Sequence, residues 1–212
     1  MLTKSSQVEH TVTEEITGVD LVSAQLRIAQ GATLKDLGLE QHQIQPRGCA
    51  IQCRITTEIP SQGFRPDCGT IGGIRLPIGR GVRLDHSDCF VGARISPFYD
   101  SLLVKCTCSG SEWDSTRRRA LRALQEFQLR GVQTNTGFLM LLLAHPTFAA
   151  RGCWTRFIDD TPEVFPGDIH TDPAQGLMRF LADAAVNGSR IQGQVVWKSS
   201  LVTVSICAVL LI

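Results

Sequence analysis

Apolar residues near the start of the chain recur at helical spacing: Val12, Ile16, Val19, Val22, Leu26 and Ala29 fall on one stripe. The spacing predicts one helix from Thr11 to Gln30, with "TVTE" as a capping box at its start and Gly31 as its stop. Beyond Gly48 the period shortens to two. In "CAIQCRITTE", Cys49, Ile51, Cys53 and Ile55 alternate with Ala50, Gln52, Arg54 and Thr56, the pattern of a strand with one buried face. "GTIGGIRLP", "GVRLD", "FVGARISP" and "LLVKCTCSG" repeat that texture between Gly and Pro turns and predict the strands of an antiparallel sheet.

Helical spacing then returns. Ser111 and Asp114 open a helix in which Ala120, Leu121, Leu124 and Phe127 share a face, ending before Gly131. "TGFLMLLLAH" reads as a second helix, stopped by Pro146. Both should pack across the sheet, which predicts an α+β unit from about Pro46 to Phe165. Further on, Asp172 caps an amphipathic helix from Pro173 to Val186, closed by Asn187 and Gly188. The final "LVTVSICAVLLI" would span about 18 Å as a helix, against about 30 Å of bilayer hydrocarbon, so no membrane span is expected. It reads as an apolar, aggregation-prone end.

Composition narrows the picture without deciding it. The 212 residues can bury a sizeable core, and 21 basic against 20 acidic residues leave a formal net charge of +1, which gives no field directed at nucleic acid. The basic run Arg117 to Arg119, with Arg122, reads as a solvated helix face. The eight cysteines show no C-x-x-C spacing; Cys49, Cys53, Cys106 and Cys108 fall on strand patterns and read as small core hydrophobes, which favours a reducing compartment over metal ligation or disulfides.

Candidate chemistry is sparse. No phosphate-binding loop, nucleophile elbow or zinc-protease helix occurs, and the glycines of "GTIGGIRLPIGRG" sit among strand patterns, where they read as turns. The stretch "SSQVEHTVTEEITGVD" gathers the carboxylates Glu9, Glu14, Glu15 and Asp20 around His10. From the residues alone, Glu9 reads as a solvated carboxylate at a helix entry and Arg83 as a surface strand residue.

The order of several blocks carries more. "QVEHTVTEEITGVDLVSAQLRIAQG", "RGCAIQCRITTE", "GVRLD", "ISPFYDSLLVK", "LRALQEFQLRGVQTN" and "FIDDTPEVF" resemble the C-terminal third of the biotin carboxylase unit of biotin-dependent carboxylases. "LMRFLADAAVNGSRIQGQ" is similar to the continuation found in the pyruvate-carboxylating branch. The resemblance implies an α+β fold, the biotin carboxylase C-terminal domain, with an antiparallel sheet and packed helices. It divides the chain into a remnant of an ATP-grasp domain over 1–44, the C-terminal domain over 45–165, a linker over 166–194 and an unrelated apolar tail over 195–212.

By the same resemblance the function is ATP- and bicarbonate-dependent carboxylation of biotin, feeding the conversion of pyruvate to oxaloacetate. Glu9 falls on the base for bicarbonate, Gln7 and Val8 on positions that hold that anion, and Arg83 on the arginine that contacts bicarbonate and stabilises enolate-like charge on biotin. His10 is expected to be structural, and Tyr99, Asp100 and Lys105 to support the sheet. Where the family has a metal-binding acid, a metal-binding asparagine and an anion-binding arginine, this chain has Met1, Thr3 and Ser5, so no metal ligands are expected. Ile78 stands where the family usually has glycine, which is expected to stiffen the turn.

The intact family enzyme uses ATP, Mg2+ and carrier-borne biotin; this chain alone is expected to bind none of them and to be inactive. Expected partners are biotin carboxylase subunits, through the family's homodimer contact, and the biotinylated carrier domain. The likeness starts at Gln7 and gives way after Gln194, which suggests a gene fragment or an imperfect gene model. A non-catalytic dimerisation module and a decayed remnant are the alternatives. The expected compartment is the cytoplasm, with the mitochondrion as the alternative.

Overall fold

The protein is described by a computed structural model over residues 9–86, 89–98, 100–165 and 181–182. In chain order, helices α1 (His10–Thr17) and α2 (Leu21–Ala29) precede strands β1 (Cys49–Thr56), β2 (Glu58–Ile59), β3 (Arg65–Pro66), β4 (Gly69–Thr70), β5 (Gly73–Arg75), β6 (Val82–His86), β7 (Arg94–Ile95) and β8 (Leu102–Gly110). Helix α3 (Trp113–Glu126), strand β9 (Gln128–Arg130) and helices α4 (Thr136–Ala144) and α5 (Pro146–Ala149) follow. The chain divides into two compact units, Met1–Asp168 and Ile169–Ile212; of the second, only Leu181 and Ala182 are described, and both are helical. The expected helix from Pro173 to Val186 otherwise lies outside the described residues, as do the turn at Asn187 and the apolar tail.

The period-two segments build an antiparallel sheet in the order β1-β8-β6. Its register sets Ile51 opposite Cys108, Cys53 opposite Cys106 and Ile55 opposite Val104, with Val82 and Leu84 beside Cys108 and Cys106. Because side chains alternate along a strand, these residues share one face, while Gln52, Arg54, Arg83, Asp85, Lys105 and Thr107 share the other. On the apolar face α3 contributes Ala120, Ala123 and Leu124 to one core cluster with Ile51, Cys53, Ile55, Val104, Cys106 and Cys108. The thiols are thus packing groups. Burial and the neighbouring Cys108 push the Cys53 thiol up to about 12.

Helix α1 lies on the opposite, polar face. Thr11 is fully buried there and its hydroxyl is 2.7 Å from both Gln52 Oε1 and the Thr107 hydroxyl. That use of Thr11 overturns the expected capping box: α1 begins at Glu9 without a side-chain cap. The single expected helix is also two. Gly18, at a φ of 71° that glycine adopts without strain, closes α1, and Asp20 restarts the chain by accepting from the Ser23 amide at 2.8 Å. Gly31 falls just beyond α2, as expected.

Further corrections concern the short strands and α3. The short strands do not join the main sheet but pair as the two-stranded ribbons β2-β3, β4-β7 and β5-β9; β4, β5 and β7 come from the glycine-rich runs, whereas β9 comes from residues expected in α3, which ends at Glu126 where Phe127 turns extended. Ser111 does not cap α3, whose start is instead tied by the Ser115 and Thr116 hydroxyls donating to the Glu112 carbonyl at 2.9 and 2.8 Å. The basic run is only partly solvated. Arg117 donates to the Leu143 carbonyl at 3.1 Å, joining α3 to α4, and Arg119 donates to the Ser109 carbonyl, whereas Arg118 is 70 % exposed. Phe138, Phe157 and Val164 form a second, smaller core with Phe64 and Phe165 packed against it.

Helix α2 has no buried residue, with Val22 45 % and Leu26 63 % exposed, whereas the buried apolar residues run from Ile51 to Val164. Limited digestion with a protease of broad specificity is therefore expected to cut first between α2 and Arg47 and to leave a resistant piece from about Gln45 to Phe165. A chain uniformly resistant throughout would contradict this.

Candidate functional site

Strand alternation brings Arg83 and Asp85 to the polar face of the sheet, beside Thr107 and Lys105 of β8. The turn that delivers them depends on Gly81. Its φ is 74°, and a Cβ there would lie 2.6 Å from the Ser109 carbonyl oxygen, so any other residue would force the turn away from β8. Ile78, three residues before Gly81, adopts no left-handed φ, so the side chain is carried there without backbone strain, and it is 84 % exposed.

Above Arg83 stands α1. Glu14 Oε2 accepts from Arg83 Nη1 at 2.7 Å, while Glu14 Oε1 accepts from the Leu21 amide at 2.9 Å, so one carboxylate ties β6 to α1 and to the first residue of α2. Asp85 takes the other edge of the guanidinium in a bidentate pair, Nε to Oδ2 at 3.0 Å and Nη2 to Oδ1 at 3.2 Å. Glu15 Oε1 is 3.8 Å from Nη1, and its other oxygen accepts from the Ser109 hydroxyl at 2.8 Å. His10 Nδ1 is buried 3.2 Å from Glu14 Oε1, out of hydrogen-bonding alignment. A cavity of about 380 Å³ opens here, with His10, Glu14, Glu15, Asp20, Val22 and Arg83 in its walls.

The two residues singled out from the sequence are not partners. Glu9, half exposed at the start of α1, pairs with Arg54 at 3.4 Å and is not part of the wall around Arg83. Gln7, Val8 and Tyr99 lie outside the described residues. Asp100 accepts from the Leu102 amide at 3.1 Å at the start of β8, and Lys105 sits on the polar face between Arg54 and Asp85. Sequence reasoning missed Glu14, Glu15 and Asp85 as the partners of Arg83. The i, i+2 spacing of Arg83 and Asp85 was a usable signal; nothing local in the sequence pointed from α1 to β6.

The electrostatics follow from burial and pairing. Burial would by itself raise the pKa of Glu14, but Arg83, the Leu21 amide and His10 outweigh it and hold the carboxyl below its usual range. Among the described residues no group of three or more His, Cys, Asp or Glu side chains could hold a metal ion.

Comparison with known proteins places the chain in a family. Residues 52–160 match the family model for the biotin carboxylase C-terminal domain, and residues 4–37 match that for the ATP binding domain of the carbamoyl-phosphate synthase L chain. The chain belongs to the biotin carboxylase C-terminal domain family, the class that the sheet, its helices and the block order define. Within that class its relatives are pyruvate carboxylases. The Aspergillus terreus enzyme is 60 % identical over 188 residues, 89 % of this chain and 16 % of the relative. The human enzyme, named as mitochondrial, is 50 % identical over 182 residues, 86 % of this chain and 15 % of the relative. The chain therefore spans about 16 % of the length of the curated relatives it matches.

Solved structures agree. The complete multifunctional pyruvate carboxylase of Rhizobium etli superposes with a TM-score of 0.75 at 45 % identity, covering 86 % of this chain and 17 % of that one. The biotin carboxylase domain dimer of Hydrogenobacter thermophilus 2-oxoglutarate carboxylase, in complex with MgADP, ADP and bicarbonate, gives 0.72 at 38 % identity, covering 76 % and 35 %. Among the described residues no helix is long and apolar enough to cross a membrane.

The lowered pKa of Glu14 fixes the sign of a pH effect. A folded-state pKa below the unfolded value of about 4.3 gives stability that is present above that value and lost as pH falls through the lower, folded value. Thermal melts from pH 6 down to pH 3 should therefore show a loss that Glu14→Gln reduces. At neutral pH Glu14→Ala should cost about 1–3 kcal/mol through its two lost hydrogen bonds. Parallel pH profiles for wild type and Glu14→Gln would contradict the assignment.

Proposed function

We propose that these residues form the biotin carboxylase portion of a pyruvate carboxylase, in which Arg83 meets bicarbonate and the ureido oxygen of biotin. The supporting observation is Arg83 in the wall of a cavity, on the residue block that resembles the family's anion-contacting arginine. Bicarbonate and the ureido nitrogen are both weak nucleophiles. A carboxylate base answers the first difficulty and a fixed guanidinium, stabilising enolate-like charge on biotin, the second. In this reading Glu9 is the base, exchanging Arg54 for bicarbonate, and Gln7 and Val8 hold the anion. The fungal identity of 60 % over 188 residues supports pyruvate as the eventual acceptor.

The division into an ATP-grasp end over 1–44, a C-terminal domain over 45–165, a linker over 166–194 and a separate tail over 195–212 belongs to the same proposal. The residues present do not fit a magnesium ion, since Glu14 and Asp85 are committed to Arg83 and the family's metal positions carry Met1 and Thr3. No step is therefore routed through MgATP here. The biotinylated carrier domain and a second biotin carboxylase subunit are the proposed partners, in a reducing compartment: the cytoplasm, or the mitochondrion named for the human relative.

A second reading, a non-catalytic dimerisation module, is supported by the domain dimer of the Hydrogenobacter thermophilus relative. Co-purification with an intact carboxylase, together with a graft into a full-length relative that supports no pyruvate carboxylation, would favour it.

Two assays test the first reading. The purified 212-residue chain should show no biotin-dependent ATP cleavage above a Glu9→Ala/Arg83→Ala control. Grafted in place of the matching stretch of the Aspergillus terreus relative, it should support pyruvate carboxylation, and Arg83→Ala in that graft should lower kcat about 10²- to 10³-fold. Full activity of the Arg83→Ala graft would refute the assignment.

A further inference from the structure

A guanidinium has five N–H donors, and Arg83 commits three of them, two to Asp85 and one to Glu14. One positive charge thus faces three carboxylates within 4.0 Å, from Glu14, Asp85 and Glu15. Asp20, in the wall of the same cavity, adds a fourth acid. An entering oxyanion meets a locally negative field and at most two uncommitted donors, so its affinity depends on how firmly these carboxylates keep the guanidinium.

The two principal holders differ. Asp85 lies two residues along the same strand and is fixed relative to Arg83 by β6 itself. Glu14 rides on α1, a separate element joined to the sheet by polar contacts: Thr11 to Gln52 and Thr107, Glu15 to Ser109, and Glu9 to Arg54. Glu14 is also the more enclosed of the pair with Arg83, its side chain 9 % exposed against 34 % for the guanidinium. Its grip on Nη1 is the shortest ion pair of the cluster, and a displacement of α1 would release it together with the longer pair to Glu15 while leaving Asp85 in place.

We infer that Glu14 is a positioning residue that sets the oxyanion affinity of Arg83, orienting the guanidinium while competing with bicarbonate for its donors. The inference rests on the reading of Arg83 as the bicarbonate contact. Two opposed effects follow from one contact. Neutralising Glu14 frees an N–H and removes a repelling charge, which tightens anion binding; it also loosens the guanidinium, which slows any step that needs its orientation. A purely structural Glu14 would produce neither a gain in anion affinity nor a split between KM and kcat.

The test uses the 212-residue chain and bicarbonate as the probe, with chloride at equal ionic strength and fixed pH as the reference. Melting temperature is followed against bicarbonate concentration for wild type, Glu14→Gln, Arg83→Gln and the double variant. Glu14→Gln keeps an oxygen for the Leu21 amide and puts an NH2 group where the other oxygen accepted from Arg83, which removes the charge and frees that guanidinium donor. Its bicarbonate response should correspond to a Kd about fivefold or more below wild type, the scale of one partly screened charge at this range. Arg83→Gln and the double variant should not respond beyond chloride. In the grafted enzyme Glu14→Gln should lower both the bicarbonate KM and kcat.

Equal responses of wild type and Glu14→Gln, with Arg83→Gln flat, would overturn the inference and leave the bicarbonate reading standing. A response that survives in Arg83→Gln, or no response in any chain, would overturn both. If Glu14→Gln fails to fold by circular dichroism, Glu14→Asp, which withdraws the oxygen by one methylene, replaces it. Its response should exceed that of wild type, and an equal response would overturn the inference.

Discussion

A cation on the polar face of a sheet and a carboxylate on the helix above it help to hold the amino-terminal helices to the rest of this protein, beside the contacts of Thr11, Glu15 and Glu9. Without Glu14, Arg83 would keep only its strand neighbour Asp85 and the more distant Glu15, and the first amide of α2 would lose its side-chain acceptor. The apolar core under the other face does not involve α1, which sits on the sheet through hydroxyls and charges. Such contacts are directional and individually modest. They fix orientation more than they add stability.

The fold was largely legible because strand alternation survives folding unchanged. The residues that alternate in "CAIQCRITTE", "GVRLD" and "LLVKCTCSG" are those that line the two faces of the β1-β8-β6 sheet. What the pattern could not show was where regular structure stops. Gly18 splits a stripe that is continuous on paper, since the left-handed turn and the Asp20 cap depend on local backbone geometry rather than on apolar spacing. The glycine-rich runs look like strands of one sheet, yet β4 pairs with β7 and β5 with β9, partners that periodicity along the chain does not name.

The site was legible only in part. Arg83 and Glu9 were singled out through resemblance to a family, and their local patterns alone read as surface charges. Their actual partners, Glu14 with Asp85 and Arg54, depend on which helix face meets which strand, a long-range fact with no local signature. The basic run on α3 failed for the same reason: Arg117 and Arg119 have backbone carbonyls as partners, and no one-dimensional pattern names a carbonyl.

Membership in the biotin carboxylase C-terminal domain family is compatible with a site whose arginine is partly neutralised, because a guanidinium shared among carboxylates can donate directional hydrogen bonds without trapping an anion. A double-mutant cycle on stability, with Glu14→Gln, Arg83→Gln and the pair, tests that contact most directly. The expected coupling is about 1–3 kcal/mol at neutral pH, shrinking in acid as Glu14 protonates. Additive single effects at neutral pH would contradict the account.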